Sequence, residues 1–249
     1  MRTYGQYCPI ARASEVLAER WTPIILRNLN LGCRTFTEIA AGAPGLSRAL
    51  LSKRLKELEL AGLVEISPKP NSHGSVYQPT HAGRDLGSVF GAMASWAEKW
   101  LEVSAHHADP DYVLWSWCFM FLRRDRLPHR RVLVRFEFKD QPASKRRLWI
   151  LIDAGEAEVC RKDPGFDEDI IVYVDQALTF ARWHLGLVTW GEALRSGHLR
   201  VTGNRDLARA LPTWNAGPEV HAHDRLEASR TSGRSTNWNP PESLAMDGP

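Results

Sequence analysis

SRALLSKRLKELELA, residues 47–61, has the pattern of a single amphipathic helix. Ser47 stands where a hydroxyl accepts a backbone N–H of the first turn. Leu51, Leu55 and Leu58 follow at i, i+4 and i+7 and make one apolar stripe. Arg48, Ser52, Lys53 and Lys56 share the opposite arc, which is basic or hydroxylated. Gly62 comes next, free to take the positive φ on which helices end. Alone, the stretch fits two roles: a solvated surface helix, or a helix that carries its cations to phosphates.

The neighbours decide between them. Upstream, Thr35-Phe36-Thr37-Glu38 is a capping box, in which Thr35 and Glu38 satisfy each other's unpaired amides. The short helix it starts ends at Ala41-Gly42-Ala43-Pro44-Gly45, a turn too rich in Gly and Pro to stay helical. Two further helices precede it, each with Pro at its first position: one from Cys8-Pro9, with Ile10, Ala13, Val16 and Leu17 on its apolar face, and one from Thr22-Pro23 to Gly32. Downstream, Val64 and Ile66 alternate with polar residues, 67–75 is rich in Pro, Asn and Gly, and Val76 and Gln78 lead back. That is a hairpin with Lys69 and His73 at its tip. From Thr80 a helix of about 24 residues, roughly 36 Å long, carries Leu86, Val89, Phe90, Met93, Ala97, Trp100 and Leu101 along one side. This stripe predicts a dimer seam, with packing on the rest of the chain as the alternative.

Helix, turn, basic helix and hairpin in this order are the layout of a winged helix-turn-helix, whose second helix enters the DNA major groove. The expected DNA contacts are Thr35, Thr37, Ser47, Arg48, Ser52, Lys53, Lys56, Lys69 and His73. Residues 7–102 resemble the HxlR-type regulators through CPIARASEVLAERWTPIILRNL, RTFTEIAAGAPGLSRALLSKRLKELELAGLV and YQPTHAGRDL. The resemblance implies a homodimer joined through the first and last helices of this module, on a pseudo-palindromic double-stranded operator. Pro79 departs from the family, which usually has Leu there. Cys8 stands at the family's N-terminal cysteine, a thiol with which several members sense oxidants or aldehydes. A helix N-terminus favours an anion, which suits such a role; packing or capping is the alternative.

Residues 104–111, SAHHADPD, are a polar break that divides residues 1–103 from a second unit. Adjacent His106 and His107 point apart on a helix or strand and make no metal pair. Residues 112–122 are apolar nearly all round and predict a buried helix. Strands are expected at 131–138, with Val132, Val134, Phe136 and Phe138 on one face and Leu133, Arg135 and Glu137 on the other, and at 148–152, 157–160, 169–174 and 198–202. Helices are expected at 176–185, 190–194 and 205–211. The fold class is therefore a mainly α winged helix-turn-helix followed by an α+β unit with an antiparallel sheet and helices. The run from Asp167 to Leu211, above all Ser196-Gly197-His198-Leu199-Arg200-Val201-Thr202-Gly203, resembles the C-terminal part of sterol-carrier-protein type-2-like domains. That resemblance extends over residues 112–214 and implies a pocket for an apolar ligand, walled by Phe180, Trp183, Leu187, Trp190 and Leu194. Residues 215–249 are polar, aperiodic and rich in Pro, Ser and Gly, and are expected to be a flexible tail; its His221 and His223 lack a third metal ligand.

Composition narrows the classes further. The net charge is +3, and the whole excess falls in residues 1–103, which hold 12 Lys+Arg against 9 Asp+Glu. Cys8, Cys33, Cys118 and Cys160 show no CxxC or metal spacing. The N-terminus lacks a signal-peptide core, and no run reaches the ~18 apolar residues of a membrane span. A cytoplasmic protein with reduced thiols, no cofactor and no membrane partner is expected. Gly-rich phosphate loops, HExxH and nucleophile elbows do not occur, which points away from an enzyme. A carrier of hydrophobic ligands tethered to a DNA-binding module is the alternative from another class.

Overall fold

A computed structural model describes residues 3–69 and 73–217. The expectation of a flexible tail lies almost wholly outside the described residues, as do His221 and His223. The N-terminal part holds α1 (Pro9–Leu17), α2 (Thr22–Asn30), α3 (Phe36–Ala41), α4 (Arg48–Leu60), β1 (Val64–Pro68), β2 (Ser75–Pro79) and α5 (His81–Trp100). Local chemistry sets most of these limits. Pro9 and Pro23 sit in the first turns of α1 and α2, and the Thr35–Glu38 capping box starts α3. Thr80 caps α5 by accepting from Gly83 N–H, and its hydroxyl donates to Gly62 O at 2.8 Å, which fastens α5 to the turn after α4. Pro79 is the last residue of β2, where a missing N–H costs little, so the hairpin closes as expected.

The core of this part is Ile25, Leu26, Leu29, Cys33, Ile39, Leu51, Leu55, Leu58 and Val64. α5 is shorter than its apolar run, 20 residues or about 30 Å, because Leu101 turns extended at φ −113 and ψ 124. Its stripe also divides. Leu86 and Phe90 pack on the core, whereas Val89, Met93, Trp96 and Trp100 are 42–64% exposed. The spacing of those four, 4-3-4, is that of a helix–helix seam.

The C-terminal part begins at a single turn of 3₁₀ helix, Ala105–His107, and continues through α6 (Pro110–Met120), β3 (Val132–Phe138), α7 (Ala143–Arg146), β4 (Arg147–Asp153), β5 (Glu156–Cys160), β6 (Ile170–Val174), α8 (Ala177–His184), α9 (Trp190–Arg195), β7 (Leu199–Gly203) and α10 (Arg205–Ala210). The sheet order is β5-β4-β3-β6-β7. It is mixed and not antiparallel as expected, because β3 and β6 run parallel. Parallel neighbours need a crossover, and residues 161–169 supply it across the face that carries Arg135 and Trp149. Glu168 takes hydrogen bonds from Arg135 Nη1 (3.1 Å) and Trp149 Nε1 (3.3 Å) on the way. Asp169 then docks β6 beside β3, donating to Leu133 O at 2.9 Å and accepting from Leu133 N at 3.0 Å. Leu133, on the face opposite Val132 and Val134, is buried there. Gly203 ends β7 where a Cβ would lie 2.2 Å from Asp169 O, so the last glycine of the 196–203 motif has a packing reason.

One helix serves both cores. Val113, Leu114, Trp117 and Cys118 of α6 join the sheet core, while Trp115 belongs to the N-terminal core with Tyr112, Phe119 and Met120 against it. That is why α6 is apolar all round: a helix enclosed on every side has no polar face. Arg27 fastens the junction. It donates to Tyr112 Oη at 3.1 Å, to Asn28 Oδ1 at 2.8 Å and to Gly42 O at 2.8 Å, and lies over the rings of Tyr112 and Trp115. Gly42 is required there, since a Cβ would sit 2.5 Å from Trp115 Cζ2.

Candidate nucleic-acid interface

α4 splits as its sequence predicts. Leu51, Leu55 and Leu58 are buried, and Arg48, Ser52, Lys53 and Lys56 are exposed together on the far arc. Ser47 accepts from Leu50 N at 3.3 Å, so its hydroxyl is used in capping. Arg48 is held with its guanidinium 5.1 Å from the Phe36 ring centre, which fixes that cation against α3. Lys53 lies 3.8 Å from Glu57, an exposed contact that restrains it little. Arg54, the remaining cation of this helix, is used internally. It pairs with Glu19 and with Glu57, both at 2.6 Å, and ties α4 to the turn between α1 and α2. Its charge is thereby neutralised, and the outward positive charge of the helix is left to Arg48, Lys53 and Lys56.

The other expected contacts are scattered more widely. Thr35 is half-buried, and its hydroxyl accepts from Glu38 N at 3.3 Å while Glu38 accepts from Thr35 N at 2.9 Å. Thr37 is exposed, at the edge of a cleft that α3 shares with α6 and β5. Lys69 and His73 stand at the hairpin tip, where Lys69 N donates to Gly74 O at 3.0 Å. The hairpin is held to the helix-turn-helix by Tyr77 N donating to Arg34 O at 2.8 Å, beside a bridge between Thr35 and Val76. Arg54 and the Arg27 cluster were illegible as special: each needs partners far along the chain.

The five residues expected to wall an apolar pocket differ in exposure. Phe180 and Trp183 are buried against Trp117, and Trp183 meets Trp190 with ring centres 4.6 Å apart. Leu187 and Leu194 are exposed. Cys8, the N-cap of α1, is half-exposed, whereas burial holds the Cys33 thiol up at about 12 and raises those of Cys118 and Cys160. Among the described residues no group of three or more His, Cys, Asp or Glu is placed to hold a metal, and no helix is long and apolar enough to cross a membrane.

A capped helix, a turn, a cationic helix with a buried leucine stripe and a hairpin at its side define a winged helix-turn-helix module. Residues 16–105 match the family described as HxlR-like helix-turn-helix. The HTH-type transcriptional regulator YvaP of Bacillus subtilis (strain 168) is 37% identical over 102 residues, covering 40% of this chain and 94% of that protein. YodB, an HTH-type transcriptional regulator of the same organism, is 36% identical over 97 residues, covering 38% and 87%. The solved structure titled the reduced form of YodB aligns at 33% identity over 39% of this chain and 97% of that one, with a TM-score of 0.35. The chain belongs to the HxlR-like helix-turn-helix family of DNA-binding transcription regulators.

Proposed function

We propose that this protein is a homodimeric, sequence-specific regulator that reads a pseudo-palindromic operator with α4 and is modulated by a small molecule bound through its C-terminal part. The observation that carries the reading is the arc of Arg48, Ser52, Lys53 and Lys56, exposed along a helix whose Leu51, Leu55 and Leu58 are buried. A cationic, hydroxyl-bearing face on a helix that a hairpin flanks suits the major groove and its phosphates. The exposed 4-3-4 row Val89, Met93, Trp96 and Trp100, together with exposed Tyr7 and Ile10, supports pairing through the first and last helices of the module. We assign residues 1–103 to DNA binding and dimerisation, 104–111 to the link, 112–214 to effector response and 215–249 to a tail.

The test is selection from a randomised duplex library, then titration of the enriched sequence with wild type and with Arg48→Ala/Lys53→Ala. Selective binding that the double variant loses supports the assignment; equal affinity at equal salt sinks it. A second reading uses Cys8 as the switch. The half-exposed thiol at the start of α1 favours it, whereas burial raises the thiols of Cys33, Cys118 and Cys160. It predicts that Cys8→Ser abolishes the response of DNA binding to a quinone or diamide while leaving basal binding intact.

A further inference from the structure

Between the two parts lies an open cleft of about 440 Å³. α3 forms one wall with Thr37, Glu38 and Ala41, and β5 forms the other from Glu156 to Val159. α6 supplies the floor with Trp115 and Phe119, whose rings stack at 5.2 Å with 11° between their planes. The volume is that of a small-molecule site.

The rim is unevenly charged. Four carboxylates (Glu38, Asp111, Glu156, Glu158) face two guanidiniums (Arg124, Arg161). Both guanidiniums are engaged: Arg161 Nε donates to Asp111 Oδ1 at 2.7 Å, and Arg124 Nη2 donates to Glu156 Oε2 at 3.0 Å. Glu38 keeps its charge, turned to the amides of Arg34 and Thr35, and these hydrogen bonds hold its carboxyl below the usual range against the opposing effect of burial. Glu158 is exposed on β5, and no partner is recorded for it among the described residues. An aromatic floor under a rim with two negative charges in excess attracts a flat cation through ring contact and through its charge.

We infer that this cleft is the effector site, and that it takes a planar aromatic cation packed against Phe119, the partly exposed ring of the floor, with its charge toward Glu158. This rests on the reading of the chain as an effector-modulated DNA-binding regulator and moves the effector from the α8–α9 region to the junction of the two parts. Coupling to DNA follows from what the walls are. α3 leads through the Gly42 turn into α4, and Arg27 binds that turn and the α6 aromatics at once. A ligand touching α3, α6 and β5 favours one arrangement of these elements, and hence one setting of α4, by its difference in affinity between arrangements.

The test is isothermal titration of the full chain, without DNA, using N-methylacridinium and neutral acridine as a near-isosteric pair. The cation is expected to bind wild type several-fold more tightly than acridine, and Glu158→Lys, at an exposed position, to weaken it by roughly tenfold. Leu187→Ser is expected to leave it unchanged. Equal binding of the two probes, no effect of Glu158→Lys, or loss of binding in Leu187→Ser alone would each overturn the site. Operator affinity is then measured with and without the cation in wild type and in Glu158→Lys, the variant reporting dye taken up by DNA itself. A change confined to wild type supports the coupling. Selective binding at Glu158 with no such change leaves the site standing and refutes modulation through it.

Discussion

Replacing Lys56 by Ala tests the recognition arc most directly, because the structure assigns this side chain no internal task. It is exposed on α4, two turns beyond the Ser47 cap, and the described residues record no ion pair for it. Its loss should therefore leave folding untouched and act only through DNA. Each phosphate contact contributes about 0.9 to the slope of log K against log salt, so a dimer that loses one contact per half-site loses about 1.8. If the wild-type and variant lines meet near ~1 M salt, affinity at ~0.15 M falls about 30-fold, or ~2 kcal/mol. Lys53→Ala should cost less, since Lys53 must first leave Glu57 at 3.8 Å, while Arg54 keeps Glu57 in place at 2.6 Å. The assay is fluorescence anisotropy on the selected operator from about 0.05 to 0.3 M salt, with Tm as the folding control. An unchanged slope for Lys56→Ala, with Tm preserved, would refute the placement of this arc on the phosphates.

Gly42→Ala should destabilise the protein by about 1–3 kcal/mol in urea unfolding, because its Cβ meets Trp115 at 2.5 Å and Asn28 Nδ2 at 2.6 Å, both buried. A neutral result would show that the junction yields easily. Met93→Glu/Trp96→Glu should convert dimer to monomer in analytical ultracentrifugation and weaken operator binding with it; a dimer that survives both charges places the seam elsewhere. Cys33 ionises near 12 in the folded state, above its ordinary value near 9.0, through burial. Its contribution to stability is thus complete below about pH 9 and is lost as pH rises from there toward 12. Cys33→Ala should flatten that decline in chemical denaturation, and a slope identical to wild type would contradict it.

The sequence by itself determined the elements whose bonds close within three or four residues. The Thr35–Glu38 box, the Ser47 and Thr80 caps, the prolines opening α1 and α2, and the leucine stripe of α4 are legible because donor and acceptor are chain neighbours. The exposed arc of Arg48, Ser52, Lys53 and Lys56 followed from that stripe. Tertiary structure alone decided what each surface meets. Arg27 reaches Tyr112 across 85 positions and Arg54 reaches Glu19 across 35, so nothing local marks these arginines as anchors while Lys56 faces outward. The α5 stripe looked uniform until the core took Leu86 and Phe90 and left Val89, Met93, Trp96 and Trp100 outside. Strand alternation gave the strands but not the parallel β3–β6 pair, because that neighbour is chosen by where residues 161–169 cross the sheet. Apolarity all round α6 announced burial without saying by what. Two cores share it, and the cleft beside it exists only because they do.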